Sequence, residues 1–198
     1  MAIKAVIWDY GGVLVRTEDL GPRQKLADKL QISIEELTDL VFNSPNAIKA
    51  AQGELSGEIH WQQVGQALGV DAQILRKEFF AGDVLDEELM RYIRSLRPTY
   101  RVGLLSNAFD QLRRQIEQAH KIADAFDESL ISAEVGLMKP DAAIYELILQ
   151  RMRLEPRQVV FIDDFVENVA GAQQVGMQAI HFRSREQAQI ELAELLDH

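Results

Sequence analysis

Three short apolar runs that each end in a carboxylate or a hydroxyl constrain this chain more than any other feature. Residues 3–8 (IKAVIW) lead into Asp9 and then Gly11 and Gly12; residues 101–105 (RVGLL) into Ser106 and Asn107; residues 159–162 (VVFI) into Asp163 and Asp164. Apolar runs this short and this continuous suit strands covered on both faces, as in a parallel sheet. The glycines after Asp9 allow dihedrals that a tight turn needs. Residues 178–182 (QAIHF) and 128–131 are further strand candidates. Between them the spacing predicts helices over 86–96, 140–152 and 166–175, with Pro140 in a first helical turn and Gly176 as a stop. Strand–helix alternation of this kind predicts an α/β fold, a three-layer Rossmann-like parallel sheet with helices on both faces.

Residues 16–85 break the alternation. Helical patterns run over about 20–30, 34–42, 45–52, 58–68 and 72–80, with Ser33 and Ser56 as N-caps, Pro45 as a first-turn residue, and no strand. The expected division is a catalytic core of residues 1–15 and 86–198 and an all-helical cap of residues 16–85 inserted after the first strand. A chain of 198 residues suffices for one core and such an insert.

Composition removes several classes of function. The net charge is −10 and there is no lysine- or arginine-rich run, which argues against nucleic acid or an anionic membrane surface as the main partner. The absence of cysteine excludes a disulfide framework, a cysteine–zinc site and a thiol nucleophile. No apolar run approaches the ~18 residues of a spanning helix, and MAIKAVIWDY does not read as a secretory signal. A cytoplasmic protein is expected, as a monomer or small homo-oligomer.

In open α/β sheets ligands bind beyond the carboxyl ends of the strands. Asp9, Ser106, Asn107, Asp163 and Asp164 would meet there, with Lys139 just ahead of the helix placed at Pro140. Phosphoryl transfer calls for that mixture. A carboxylate can attack phosphorus and divide one hard step into two. The meeting of two anions requires neutralisation by a lysine and a cation, and magnesium prefers oxygen ligands. A hydroxyl and an amide can hold the remaining phosphoryl oxygens.

WDYGGVLV, LLSNA, GLMKPDAAIY and FIDDFVENVAGA together resemble the four ordered motifs of the haloacid-dehalogenase-like (HAD) hydrolases, over residues 3 to about 182. The resemblance implies Asp9 as nucleophile and Mg²⁺ ligand, the backbone carbonyl of Gly11 as a second ligand and Asp164 as a third. It implies that Asp163 supports the metal site from behind these ligands, that Asn168 tethers the Asp163–Asp164 loop, and that Ser106 and Asn107 bind the phosphoryl group. Lys139 would pair with both nucleophile and phosphate. The implied activity is a Mg²⁺-dependent phosphatase of small phosphorylated metabolites, acting through an aspartyl phosphate.

The sequence departs from the family pattern at Gly11, where most of its phosphatases carry a second aspartate as general acid and base. Loss of such a group costs ~10²- to 10⁴-fold in rate, least for a leaving group that needs little protonation. Sugar 1-phosphates, acyl phosphates and aryl phosphates are therefore expected, and some family members with glycine here resemble sugar-phosphate phosphatases. Two other readings are a catalytically weak phosphate- and magnesium-binding regulator, prompted by Gly11, and a 2-haloacid dehalogenase. The dehalogenase tyrosine would fall two residues after the nucleophile, whereas here it is Tyr10, one position off and expected to point away from the site.

Blander roles compete at each position. Asp163 and Asp164 can act as a helix N-cap pair, although adjacent buried carboxylates without a cation are costly. Arg16 and Thr17 suit a hinge as well as a substrate contact. His60, Trp61, Phe79 and Phe80 suit the core of the cap better than a ligand box. His60, His120, His181 and His198 have no metal-like spacing, and residues 184–196 read as a closing amphipathic helix.

Overall fold

The computed structural model describes residues 2–196, so His198 lies outside the described residues. The first half runs β1 (Ala5–Trp8), β2 (Val15–Thr17), α1 (Gly21–Leu30), α2 (Ile34–Phe42), α3 (Pro45–Ala51), α4 (Gly57–Leu68), α5 (Ala72–Phe79), β3 (Asp83–Leu85) and α6 (Glu87–Leu96). The second half alternates: β4 (Arg101–Ser106), α7 (Leu112–Arg114, continued as a π-turn over Gln115–Ala119), β5 (Glu128–Ile131), α8 (Ser132–Val135), α9 (Ala142–Met152), β6 (Val159–Asp163), α10 (Val166–Gln174), β7 (Gln178–His181) and α11 (Arg185–Leu196).

Five strands form one parallel sheet in the order β5-β4-β1-β6-β7. All four residues of β1 are buried, which is why its sequence shows no polar face. The two sides of the strand nevertheless pack differently, because successive side chains point to opposite faces. Val6 and Trp8 join Leu104, Ile162, Leu89 and Ile93 of α6, and Leu192 of α11. Ala5 and Ile7 join Leu105, Phe161, Ile144 and Ile148 of α9, and Ala172 of α10. Those two cores make the three layers expected from the alternation. In register, Trp8 lies opposite Leu104 of β4 and Ile162 of β6. The residue after Trp8 therefore emerges between the ends of both neighbours, and the Asp9 N–H donates to the Ile162 carbonyl at 2.9 Å.

Helices α1, α2, α4 and α5 enclose a third core, including Leu26, Leu37, Trp61, Leu75 and Phe79. Ser33 and Ser56 accept hydrogen bonds from the N–H groups of Glu36 (3.0 Å) and Ile59 (3.2 Å), capping α2 and α4, and Ser44 does the same for α3. His60 is fully buried, donating from Nε2 to the Val41 carbonyl at 2.9 Å.

Two expectations need correction. Residues 16–85 are not free of strands: β2 and β3 form an antiparallel ribbon with Arg16 opposite Val84. Strands of three residues (VRT and DVL) are too short to show a period. Their pairing is secured by side chains instead, with Thr17 Oγ1 donating to Asp83 Oδ1 at 2.7 Å and Arg23 reaching the same oxygen at 3.1 Å. The second correction concerns Pro140, which sits in a turn after a cis peptide bond while α9 begins at Ala142. Asp141 N–H closes that turn on the Met138 carbonyl at 3.0 Å, which keeps Pro140 out of the helix.

Where the ribbon meets the sheet domain, Asp86 is buried and caps α6 by accepting from Leu89 N–H at 2.8 Å. It also takes Arg16 at 2.8 Å and Arg185 of α11 at 2.9 Å. Arg16 is thereby held at the junction, with a further bond to the Val13 carbonyl at 3.0 Å. Asp86→Ala removes a cap and strands two partly exposed arginines, so about 2–3 kcal/mol of stability should be lost. Urea unfolding at unchanged m-value measures this; a loss below ~0.5 kcal/mol would show that the junction is not held by Asp86.

Candidate active site

The strand order sets the site. With β1 between β4 and β6, Asp9, Ser106 and Asp163 leave the sheet side by side at its carboxyl edge. The turn after Asp9 then folds tightly: Leu14 and Val15 both donate to the Tyr10 carbonyl, at 2.9 and 3.0 Å. Gly12 adopts φ +76°, and a Cβ built on it would lie 2.0 Å from Asp164 Oδ2. The positive φ favours glycine, and a side chain here would have to displace the Asp164 carboxylate.

Lys139 is buried and makes three contacts, to Asp9 Oδ1 at 2.9 Å, Asp163 Oδ2 at 2.5 Å and the Leu105 carbonyl at 3.0 Å. Burial by itself would depress the ammonium, but Asp9 and Asp163 hold its pKa above the ordinary lysine value. Asp163 is saturated, since it also accepts from Phe165 N–H (2.8 Å) and from the Asn168 amide (3.0 and 3.1 Å). Asn168 thus tethers the loop as expected, and its own carbonyl is fixed by Tyr145 Oη at 2.8 Å.

Asp9, Asp163 and Asp164 each offer an oxygen, and these oxygens lie within 4.8 Å of one another. Ionised together, the three carboxylates would exceed the one ammonium by two negative charges in a largely buried space. Burial first, then the neighbouring Asp163, raises the Asp9 carboxyl to about 7 against the pull of Lys139. The same two causes push Asp164 up to about 6. Asp164 Oδ1 is buried with no hydrogen-bond partner, which is the condition of a ligand atom aimed at a cation. The set is all oxygen, the choice of magnesium over softer metals. Both protein contacts of Asp9, from Tyr10 N–H (2.7 Å) and Lys139 (2.9 Å), fall on Oδ1, leaving Oδ2 for a ligand.

Ser106 closes β4 and is buried beside these groups. Asn107 has a task within the fold: its Oδ1 accepts from Lys139 N–H and its Nδ2 donates to the Lys139 carbonyl, both at 2.8 Å. That clamp sets the lysine's backbone and leaves one amide N–H free. Tyr10 packs in the core with its ring 6.2 Å from His120. Gly11 is exposed and has ordinary dihedrals, and a Cβ built on it meets nothing within 4 Å.

Two supports were not found from the sequence. His181 donates from Nε2 to the Asp164 carbonyl at 3.0 Å, holding the loop that carries the acids. The only sequence cue was its place at the end of β7, opposite Asp163. Asp110 accepts from Gly57 N–H at 3.1 Å, and Phe109 packs on His60 at 5.0 Å, so the segment after Asn107 touches the start of α4.

A model of the haloacid dehalogenase-like hydrolase family matches residues 3–176, and the chain belongs to that family. It is 27% identical to the sesquiterpene phosphatase astK of Aspergillus oryzae, over 98% of this chain and 96% of that protein. Among solved structures, it is similar to a predicted HAD-like family hydrolase from Porphyromonas gingivalis (TM-score 0.79, 23% identity, 98% of each chain). It is also similar to the HAD family enzyme bt-2542 of Bacteroides thetaiotaomicron in complex with magnesium and inorganic phosphate (TM-score 0.77, 22% identity, 92% of this chain and 95% of that one).

The raised carboxyls set a pH dependence. Asp9 and Asp164 bind protons more tightly folded than unfolded, so their contribution to stability is full at acid pH and is lost as pH rises through about 6 to 7. A cation competes with those protons. Thermal melts should therefore show that magnesium raises Tm more at pH 8 than at pH 5.5; an equal rise at both would mean the ion binds elsewhere.

Proposed function

We propose that this hydrolase is a magnesium-dependent phosphatase of small phosphorylated metabolites, with Asp9 as the residue that takes the phosphoryl group. The observation that carries the reading is the packing of Asp9, Asp163 and Asp164 within 4.8 Å around the buried Lys139. Supporting it, one relative is named a phosphatase and one structural neighbour was captured with magnesium and phosphate.

Asp9, Asp164 and the Gly11 carbonyl would hold Mg²⁺, which when bound supplies charge neutralisation for the anionic phosphoryl group. Lys139 fixes Asp9 through Oδ1 and adds positive charge where the phosphoryl oxygens come to lie. Oδ2 attacks phosphorus, and the ester oxygen leaves with its bonding pair. Ser106 and the free amide N–H of Asn107 orient the remaining oxygens. Water then cleaves the acyl phosphate and restores Asp9.

Helices α1 to α5 serve as the cap over this chemistry, with residues 1–15 and 86–198 as its catalytic core. The contacts of Phe109 with His60 and of Asp110 with Gly57 support a lid that shuts on the segment after β4 and reopens for release. A dehalogenase is disfavoured by the core position of Tyr10 and by the three acids.

Release of phosphate from p-nitrophenyl phosphate should require magnesium and fall at least about 10³-fold in Asp9→Asn. Wild-type rates no higher than those of Asp9→Asn would favour the regulatory reading. Because the space at Gly11 is open, Gly11→Asp should fold normally and gain at least about tenfold on simple alkyl phosphates. No gain in a folded variant would refute the account of the missing proton donor.

A further inference from the structure

Two large apolar side chains flank the acids and belong to none of the three cores. Phe165 and Val166 are 60% and 58% exposed. They follow Asp164 directly, and the backbone of Phe165 is pinned by its N–H bond to Asp163 Oδ1 at 2.8 Å. Single exposed apolar residues are common. An adjacent pair on the segment that carries the metal-binding acids, at the sheet edge where ligands bind, points to a ligand.

Charge narrows what that ligand is. The stretches 9–14, 107–111, 132–141, 164–165 and 182–184, which follow the five strands, hold two basic side chains, Lys139 and Arg183. Each already faces a carboxylate: Lys139 on Asp9 and Asp163, and Arg183 on Glu191. The loop 52–57 ahead of α4 (QGELSG) contains none. No cation among these residues is left for a second anionic group on the substrate. At Gly11, the space a proton donor would fill is open beside the nucleophile.

Resting on the phosphatase reading above, we infer that the leaving group is an uncharged aryl group seated against Phe165 and Val166, which makes aryl phosphate monoesters the substrate class. As the Asp9–phosphorus bond forms, the bond from phosphorus to the aryl oxygen breaks. The aryloxide departs with that electron pair and takes its proton from water. An aryloxide is a far weaker base than an alkoxide, so it leaves without the acid that Gly11 lacks. The aromatic face of Phe165 supplies the stacking surface, a contact that changes affinity about threefold to tenfold.

The test compares kcat/KM of the full-length protein with magnesium on 1-naphthyl phosphate, glucose 1-phosphate and acetyl phosphate, the last having no ring to seat. Wild type should favour 1-naphthyl over glucose 1-phosphate by at least about tenfold. In Phe165→Ala the naphthyl-to-acetyl ratio should fall about fivefold to tenfold, mainly through KM, and Phe165→Tyr should retain it. Preference for glucose 1-phosphate, or an equal fall on both substrates in Phe165→Ala, overturns the inference while the phosphatase stands. So does an unchanged ratio with an altered oligomeric state, which would assign the patch to a second copy. Phosphate release from none of the three overturns the phosphatase reading itself.

Discussion

A single ammonium held between carboxylates organises the working edge of this molecule. Lys139 sits 2.9 Å from Asp9 and 2.5 Å from Asp163, fully enclosed, with the Leu105 carbonyl as its third partner. Burying a charge without partners is prohibitive, so the lysine fixes both acids, and the elements around it fix the lysine. Asn107 grips its backbone from β4, and Asn168 and Phe165 N–H hold Asp163 from α10. Because Lys139 can balance only one of the three acids, the arrangement has the charge and the oxygen atoms to take a divalent cation.

The central strand explains why these residues converge although they are far apart in sequence. β1 contributes only four residues, yet its place between β4 and β6 brings positions 9, 106 and 163 to one edge. Gly12 then passes so close to Asp164 that a side chain there would displace the carboxylate. Gly11 is its opposite, a glycine with room around it. The pair shows how neighbouring glycines serve different ends: one gives close approach to an acid, the other leaves room beside Asp9.

The parallel sheet, its two helical layers and the meeting of Asp9, Asp163, Asp164 and Lys139 were legible in the sequence. Buried strands write continuous apolar runs, and the polar residue that ends each run marks the edge where ligands bind. The β2–β3 ribbon was not legible, because six residues held by Thr17, Asp83 and Arg23 leave no periodic trace. Asp86 with Arg16 and Arg185, and His181 with Asp164, were invisible for a different reason. Each joins residues whose proximity exists only after the sheet has formed. Asn107 was expected at the phosphoryl group; its clamp on Lys139 was not legible, because it rests on the Met138–Asp141 turn, the second half of which the sequence had placed in a helix.

The account stands on transfer of phosphorus to Asp9 itself. Rapid acid quench of the protein with acetyl phosphate, followed by peptide mass spectrometry, reports that bond directly. One phosphoryl group on Asp9, present with magnesium and absent after chelation, is the predicted result. Phosphate on another residue, or on Asp9 regardless of the metal, would contradict it.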